Sequence, residues 1–162
     1  MPQVEDERDQ KVLSDIDRLG WHVVHINEDA EGPSYSFSIG LFYTFRFPEI
    51  LVMGLSHQTA HNLINVCVTH AAAGKEFQPF ERQSEVINDF DCAFVPVSLK
   101  YYKDYLGYAV WFYRSLSSPF PAAQLVWPDK AGKLPWETGY DRKFLTRQTI
   151  LCETPEPGAA PT

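Results

Sequence analysis

The sequence predicts an α+β fold: a single domain with a mostly antiparallel sheet of about five strands and about three packed helices. Two kinds of pattern support this fold. Some segments repeat apolar residues with helical spacing, and others are β-branched, aromatic and bounded by turns, as strands are. The chain has 162 residues, of which 44% are hydrophobic, and this is enough for one core. We therefore expect residues 1–152 to form one globular domain.

The first helix is predicted over residues 6–19. Gly20 follows directly and can adopt the left-handed conformation that ends many helices. The apolar residues of the segment fall on one helical face: Val12, Leu13, Ile16 and Leu19. We expect this face to pack against the core.

Two strands with a turn between them are predicted over 21–26 and 35–41, because both segments are rich in β-branched and aromatic residues. In the second strand, large apolar residues alternate with Ser36 and Ser38, which places a small polar face opposite the core face. A third strand, over 49–55, is apolar on both faces. It is therefore expected at the centre of the sheet.

A second helix is predicted over 56–73, with Ser56 as its N-cap and Gly74 at its end. Its apolar stripe should dock on the sheet. His57 and His61 lie at the margin of that stripe. Because they are four residues apart, their imidazoles project from the same side of the helix.

The C-terminal half predicts two further strands and a third helix. Segment 91–99 reads as a strand interrupted by Pro96, which indicates an edge or a bulge. Segment 100–114 is aromatic or aliphatic nearly all round, as is typical of a largely buried helix, and Ser98 is its expected cap. Residues 124–136 predict a hairpin, because Pro, Asp and Gly at its centre are turn formers.

The composition favours some classes of protein over others. A net charge of −7 without any cluster of Lys and Arg argues against nucleic-acid binding and favours solubility, with a basic protein partner as the alternative. No apolar run reaches the roughly 20 residues of a membrane helix, and the acidic N-terminus does not resemble a signal peptide. Three cysteines without a C-x-x-C pair predict reduced thiols in a cytoplasmic protein. The last residues, 153–162, have the composition of a disordered tail.

Five segments stand out in order along residues 20–136: GWHVVHI, YSFSIGL, FPEILVMGL, YLGYAVWFY and QLVWPDKAGKLPW. This ordered set resembles a bacterial family of small proteins, domain-of-unknown-function family 4262. The resemblance implies membership of that family. It carries no catalytic residues over to this chain.

The segment Trp127, Pro128, Asp129 looks like the loop that supplies a general acid in tyrosine phosphatases. Such an enzyme also needs a reactive cysteine in a phosphate-binding loop that ends in arginine. None of the three cysteines is followed by an arginine at that spacing. Neither a G-x-S-x-G elbow nor a glycine-rich phosphate loop occurs. Asp129 is therefore predicted to form a turn.

His57 and His61 have the i, i+4 spacing by which two imidazoles can bind one zinc ion. The segment His-Gln-Thr-Ala-His does not contain the glutamate of a metalloprotease helix. A third ligand would come from His22 or His25, which the strand period places on opposite faces. No cofactor is predicted: structural histidines are the favoured interpretation, and a zinc site is the alternative.

The favoured function is non-catalytic binding of a protein, of which toxin neutralisation is one instance. The surface for it would come from eight aromatic residues: Tyr101, Tyr102, Tyr105, Tyr108, Trp111, Tyr113, Trp127 and Trp136. The alternative is a small-molecule-binding domain or enzyme with a pocket lined by a strand histidine and the Trp-Pro-Asp segment. Its candidate residues are His22, His25, Ser36, Ser38, Gln124, Trp127, Asp129 and Trp136.

Overall fold

The computed structural model describes residues 1–153. The predicted disordered tail, 153–162, therefore lies outside the described residues except for Glu153. This residue is exposed and donates its backbone N–H to the Ser98 hydroxyl at 2.7 Å. None of the helices within residues 1–153 combines the length and the apolar character that crossing a bilayer requires.

One six-stranded sheet forms the centre of the described chain. Its strands are β1 (His22–Ile26), β2 (Tyr35–Ile39), β3 (Glu49–Met53), β4 (Gln83–Ile87), β5 (Phe90–Pro96) and β6 (Ala122–Val126). Their order is β1-β2-β3-β6-β5-β4. All neighbours are antiparallel except the central pair, β3 and β6, which is parallel. The predicted α+β domain is confirmed in outline, with a mixed sheet of six strands instead of about five antiparallel ones.

Helices cover both faces of the sheet. Within residues 1–153 they are α1 (Glu7–Leu19), α2 (Leu41–Phe45), α3 (His57–Ala72), α4 (Tyr102–Tyr105) and α5 (Gly107–Ser115). α3 packs on one face, and α1 and α5 pack on the other. Ser36 and Ser38, which the sequence predicted on a polar face, are completely buried, because α3 covers that face as well.

β4 has no counterpart in the sequence prediction. Its sequence is mostly polar because it is an edge strand, in which only Val86 is buried. A two-residue turn joins β4 to β5, and Asp89 in that turn has a φ of 66°. Pairing with β4 extends along β5 to Cys92. Beyond that point no strand within residues 1–153 pairs with the outer side of β5, which explains why Pro96 is tolerated.

The predicted hairpin over 124–136 is wrong in its second half. β6 begins the segment, and Asp129 closes a turn with Lys133 (N···O 2.9 Å), but the residues that lead to Trp136 form no strand. The reason is the position of β6, which pairs with β3 on one side and with β5 on the other. Both of its edges are occupied. Trp136 packs edge-on against Phe80 instead, with ring centroids 5.2 Å apart.

The predicted helix over 100–114 is divided. A 3₁₀ turn (Leu99–Tyr101) and α4 precede a break at Leu106, and α5 begins at Gly107. Gly107 lowers the helix propensity at this point. The Leu106 side chain is buried in the core, and this packing fixes the position of the break. Ser98 forms no side-chain cap, because its hydroxyl accepts the Glu153 N–H.

The end of the predicted second strand is instead a turn into α2. Gly40 has a φ of 113°, which L-residues rarely adopt. A Cβ at this position would lie 2.6 Å from the carbonyl oxygen of Gly20. Glycine is therefore required where the chain turns from β2 into α2.

The Glu49 carboxylate joins several of these elements in the interior. Glu49 is completely buried at the start of β3. It accepts the three backbone N–H groups of residues 40–42, at 2.9, 3.1 and 3.3 Å, where α2 begins. The hydroxyls of Ser38 (2.6 Å) and Tyr113 also donate to it. We call this set of contacts the Glu49 network.

The Glu49 carboxyl group is surrounded by hydrogen-bond donors. Burial raises the pKa of Glu49 above its ordinary value, and the hydrogen bonds from Ser38, Tyr113 and the α2 backbone offset that effect only in part. Three of the five described partners are backbone N–H groups, which can only donate, and the Ser38 and Tyr113 hydroxyls donate to the carboxyl group as well. The five partners come from three elements: β2, the start of α2, and α5.

We expect Glu49→Gln to lower the free energy of unfolding by about 3 kcal/mol, because the amide N–H₂ would face backbone donors. Tyr113→Phe removes one donor and keeps the ring, so its cost should be about 1.5 kcal/mol. Urea unfolding followed by circular dichroism measures both values. A cost for Glu49→Gln no larger than that of Tyr113→Phe would contradict the central role of the carboxylate.

Candidate functional site

A cavity of about 440 Å³ opens where the loop between β1 and β2 meets the end of α4. Three carboxylates line it, from Asp29, Glu31 and Asp104, together with the rings of Tyr35 and Tyr105. The two rings lie 5.3 Å apart and are tilted by 58°. Among the described residues, no lysine, arginine or histidine lines it. We call it the acidic cavity.

The negative charge of the acidic cavity is not compensated by ion pairs. None of its three carboxylates pairs with a cation within residues 1–153. Burial raises the pKa of Tyr35 to about 12, with further contributions from Tyr105, Asp29 and Asp104. Burial, followed by Tyr101 and Asp104, also raises the pKa of Tyr105. Both phenols are therefore neutral at pH 7, and their ring faces can attract a cation.

The loop that supplies two of the carboxylates is held by its own hydrogen bonds. Asp29 and Gly32 exchange backbone hydrogen bonds of 3.1 and 3.3 Å. The Asp29 carboxylate also accepts the Glu31 N–H at 2.8 Å. These contacts order the acidic residues before any ligand binds, which lowers the entropic cost of binding.

The sequence does not predict the acidic cavity. It predicts a turn between two strands over residues 27–34, and it predicts Asp104 within a largely buried helix. The available signal was the acidic loop itself, with Asp29 and Glu31 two residues apart next to Tyr35. Only the packing of α4 against the start of β2 brings Asp104 to these residues.

The residues predicted to line one small-molecule pocket lie in several places: His25 contacts Ser36, and Trp127 and Asp129 line one cavity, but the two pairs are apart. His22 and His25 are on opposite faces of β1, as the strand period predicted. His22 Nδ1 contacts Asp15 Oδ2 of α1 at 2.8 Å. His25 Nδ1 contacts the Ser36 hydroxyl at 2.7 Å. Ser38 belongs to the Glu49 network.

Three other members of that set have structural contacts. Gln124 is completely buried and bonds the backbone of residues 149–151, which holds the C-terminal segment against β6. The indole N–H of Trp127 donates to the Met53 carbonyl at 2.7 Å. Trp136 is half-buried against Phe80.

Asp129 forms the turn that the sequence predicted. It is 4% exposed, and its carboxylate accepts the backbone N–H groups of Ala131 (2.9 Å), Lys133 (2.8 Å) and Asp141 (2.8 Å). Burial alone would raise the pKa of Asp129, but these bonds outweigh it and keep the pKa below its ordinary value. A carboxylate that is ionised and fully engaged in this way does not act as a general acid.

The buried cysteines agree with the exclusion of phosphatase chemistry. Cys67 of α3 and Cys92 of β5 both lie in the core between that helix and the sheet. Burial raises the pKa of Cys92 to about 12 and also raises the pKa of Cys67. Both thiols are protonated at pH 7, so neither is an activated nucleophile.

A second cavity, of about 320 Å³, opens beside Trp127, between α3 and the turn from β4 to β5. Most of its wall is apolar. Its lining includes Thr59, Leu63, Ile87, Phe90 and Phe144, together with the Trp127, Pro128 and Asp129 of the predicted Trp-Pro-Asp segment. We call it the apolar cavity. It lies on the side of α3 that faces away from β1.

Three histidines meet between β1 and α3. His25 Nε2 lies 3.3 Å from His61 Nδ1, and the His25 and His57 rings are stacked with centroids 4.7 Å apart. We call these three residues the histidine cluster. Within residues 1–153, no group of three or more His, Cys, Asp or Glu side chains is arranged to hold a metal ion. The predicted helical pair and a strand histidine therefore come together as contacting rings.

The eight aromatic residues expected to form one binding surface are divided by the fold. Tyr113 and Trp127 are buried. The others are half-buried: Tyr101, Tyr102, Tyr105, Tyr108, Trp111 and Trp136. Of the eight, Tyr105 is the one that lines the acidic cavity.

The mixed six-stranded sheet, with helices on both faces, defines a small α+β domain. The chain belongs to the family described as Domain of unknown function (DUF4262), whose model matches residues 15–141. This match confirms the family resemblance of the sequence. Searches of curated proteins and of solved structures return no match.

We expect Asp129→Asn to lower the midpoint of thermal unfolding and to speed amide exchange at Ala131 and Lys133, because the amide group would face backbone donors. Since the folded pKa of Asp129 is lowered, its stabilisation is complete above about pH 3.9 and is lost as the pH falls through the folded value. The difference between wild type and variant should therefore be constant from about pH 5 to about pH 8 and shrink in acid. An unchanged midpoint at neutral pH would contradict the structural role of Asp129.

Proposed function

We propose that the protein is a non-catalytic binding protein whose acidic cavity receives a lysine or arginine side chain of a basic protein partner. One observation carries this proposal. Three carboxylates without ion pairs and two tyrosine rings line a single cavity, and no described cationic side chain lines it. An ammonium or guanidinium group gains from both the carboxylates and the ring faces.

The charge of the whole chain supports the same kind of partner. A net charge of −7 accelerates the approach of a basic protein and slows that of an acidic one. The ordered loop around Asp29 lowers the cost of binding further. A basic toxin is one instance of such a partner.

The triple variant Asp29→Asn, Glu31→Gln, Asp104→Asn should weaken binding of a fluorescent lysine-rich peptide about tenfold, since each exposed charge pair contributes about 0.5 kcal/mol. Fluorescence anisotropy at low salt measures the affinity. A peptide in which glutamate replaces lysine should not bind to either protein.

The matched control for this experiment is the triple variant Asp17→Asn, Glu76→Gln, Glu81→Gln. These three carboxylates are exposed and form no ion pair among the described residues, so both triple variants remove the same charge. The control should keep most of the wild-type affinity. Equal losses in the two variants would show that overall charge, and not the acidic cavity, binds the peptide.

The apolar cavity supports a second candidate function, the binding of a small apolar molecule. Its volume of about 320 Å³ lies in the range of small-ligand pockets, and Trp127 and Phe144 supply aromatic walls. The carboxylate of Asp129 is occupied by backbone N–H groups, so this candidate is a binding function without acid catalysis.

The dye anilinonaphthalenesulfonate, which fluoresces in apolar surroundings, can test this second candidate. Thr59→Trp should reduce its affinity at least about tenfold, because Thr59 lines the apolar cavity and a large ring would fill it. Thr69→Trp is the control, since Thr69 is exposed further along α3 and also loses one hydroxyl contact. Equal binding by the two variants would place the dye elsewhere.

A further inference from the structure

The histidine cluster limits how many protons it can hold. A neutral His25 has one N–H and one lone pair, so it can bond both Ser36 and His61 in either of two tautomers. One added proton is accommodated, because a charged His25 donates to the Ser36 oxygen and to the free lone pair of His61. The closed contact is therefore compatible with no added proton or with one.

A second added proton is not compatible with the closed contact. If His25 and His61 were both charged, two N–H groups would face each other across 3.3 Å. Their charges would repel at the same time. His57, stacked on His25 at 4.7 Å, would add a third like charge when protonated. Acid therefore opposes the contact between β1 and α3.

Within residues 1–153, no carboxylate offsets this repulsion at His25. The groups that face it are Ser36 from β2 and His57 and His61 from α3, and His22 of its own strand acts across the sheet. Burial first, and then these three histidines, lower the pKa of His25. The closed contact therefore loses stability as the pH falls below about 6.5, the ordinary pKa of histidine, and it opens when the cluster takes up a second proton.

The same half of α3 forms a wall of the apolar cavity. At about 100° per residue, Thr59 and Leu63 lie roughly opposite His57 and His61 around the helix. Thr59 and Leu63 line the apolar cavity, whereas the histidines contact β1. This half of the helix thus lies between the histidine cluster and the apolar cavity. Buried residues hold both halves of α3 in the core, Ala60 and Ile64 in the first half and Cys67 and Ala71 in the second, so the histidine cluster adds to the packing of the first half.

We infer that the histidine cluster is a proton-sensitive contact: below about pH 6 it releases the first half of α3 from β1 and loosens one wall of the apolar cavity. This goes beyond the proposed binding of a basic partner and does not depend on it. The first half of α3 is the element with two states, held against β1 or released from it. Binding of a second proton to the histidine cluster favours the released state.

Hydrogen–deuterium exchange of residues 57–63 at about pH 7.5 and about pH 5.5 tests the inference, with EDTA present and intrinsic rates corrected. The opening equilibrium of this segment should rise about tenfold or more in acid. Exchange in β3 and β6 should not change. Equal corrected exchange at the two pH values would overturn the inference.

Replacing single histidines with glutamine tests which of them cause the acid effect on hydrogen exchange. His25→Gln and His61→Gln should each remove most of the acid effect, because glutamine stays uncharged and can still hydrogen-bond. His22→Gln and His70→Gln are matched controls outside the cluster, with contacts to Asp15 and to the Glu85 carbonyl, and they should keep the effect. His61 is only half-buried, so its variant should fold even if that of His25 does not. An undiminished acid effect in His61→Gln would overturn the inference.

Discussion

The architecture depends on one buried acidic side chain, that of Glu49. A carboxyl group without water must find its hydrogen-bond partners within the protein, and this requirement is strict because an unsatisfied buried charge costs several kcal/mol, on the order of 3–5. Here the donors come from β2, from the start of α2 and from Tyr113 on α5. The position of each of these elements is therefore coupled to the others.

This constraint explains local features that have no other evident cause. α2 is only five residues long, yet the end that carries its free N–H groups is directed at a carboxylate. Gly40 must allow the chain to turn sharply enough for its own N–H to join the same group. Tyr113 also reaches across to the Tyr43 N–H, which ties α5 to α2. The Glu49 network thus links α2 and α5 to β2 and β3 of the sheet.

The sheet separates the surfaces with functional potential. β1 lies at one edge, and the acidic cavity and the histidine cluster are on either side of the hairpin that it forms with β2. The apolar cavity lies beyond α3, next to β4 and β5 at the other edge. A basic side chain and an apolar molecule would therefore bind at different places. α3 touches both the histidine cluster and the apolar cavity, which makes it the element through which one region can influence the other.

Local patterns in the sequence determined the class of fold, the positions of α1, α3 and the first three strands, and the turn at Asp129. Helical periodicity, β-branched runs and turn residues are sufficient for this because each depends on only a few neighbouring residues. They also determined that His22 and His25 point to opposite faces. Only the tertiary structure decided the rest. β4 is polar because it is an edge strand, the segment after β6 cannot pair because both edges of β6 are taken, and Asp104 joins Asp29 through packing between segments distant in the chain. Such contacts depend on which elements become neighbours, and a single sequence does not encode that choice in any local pattern.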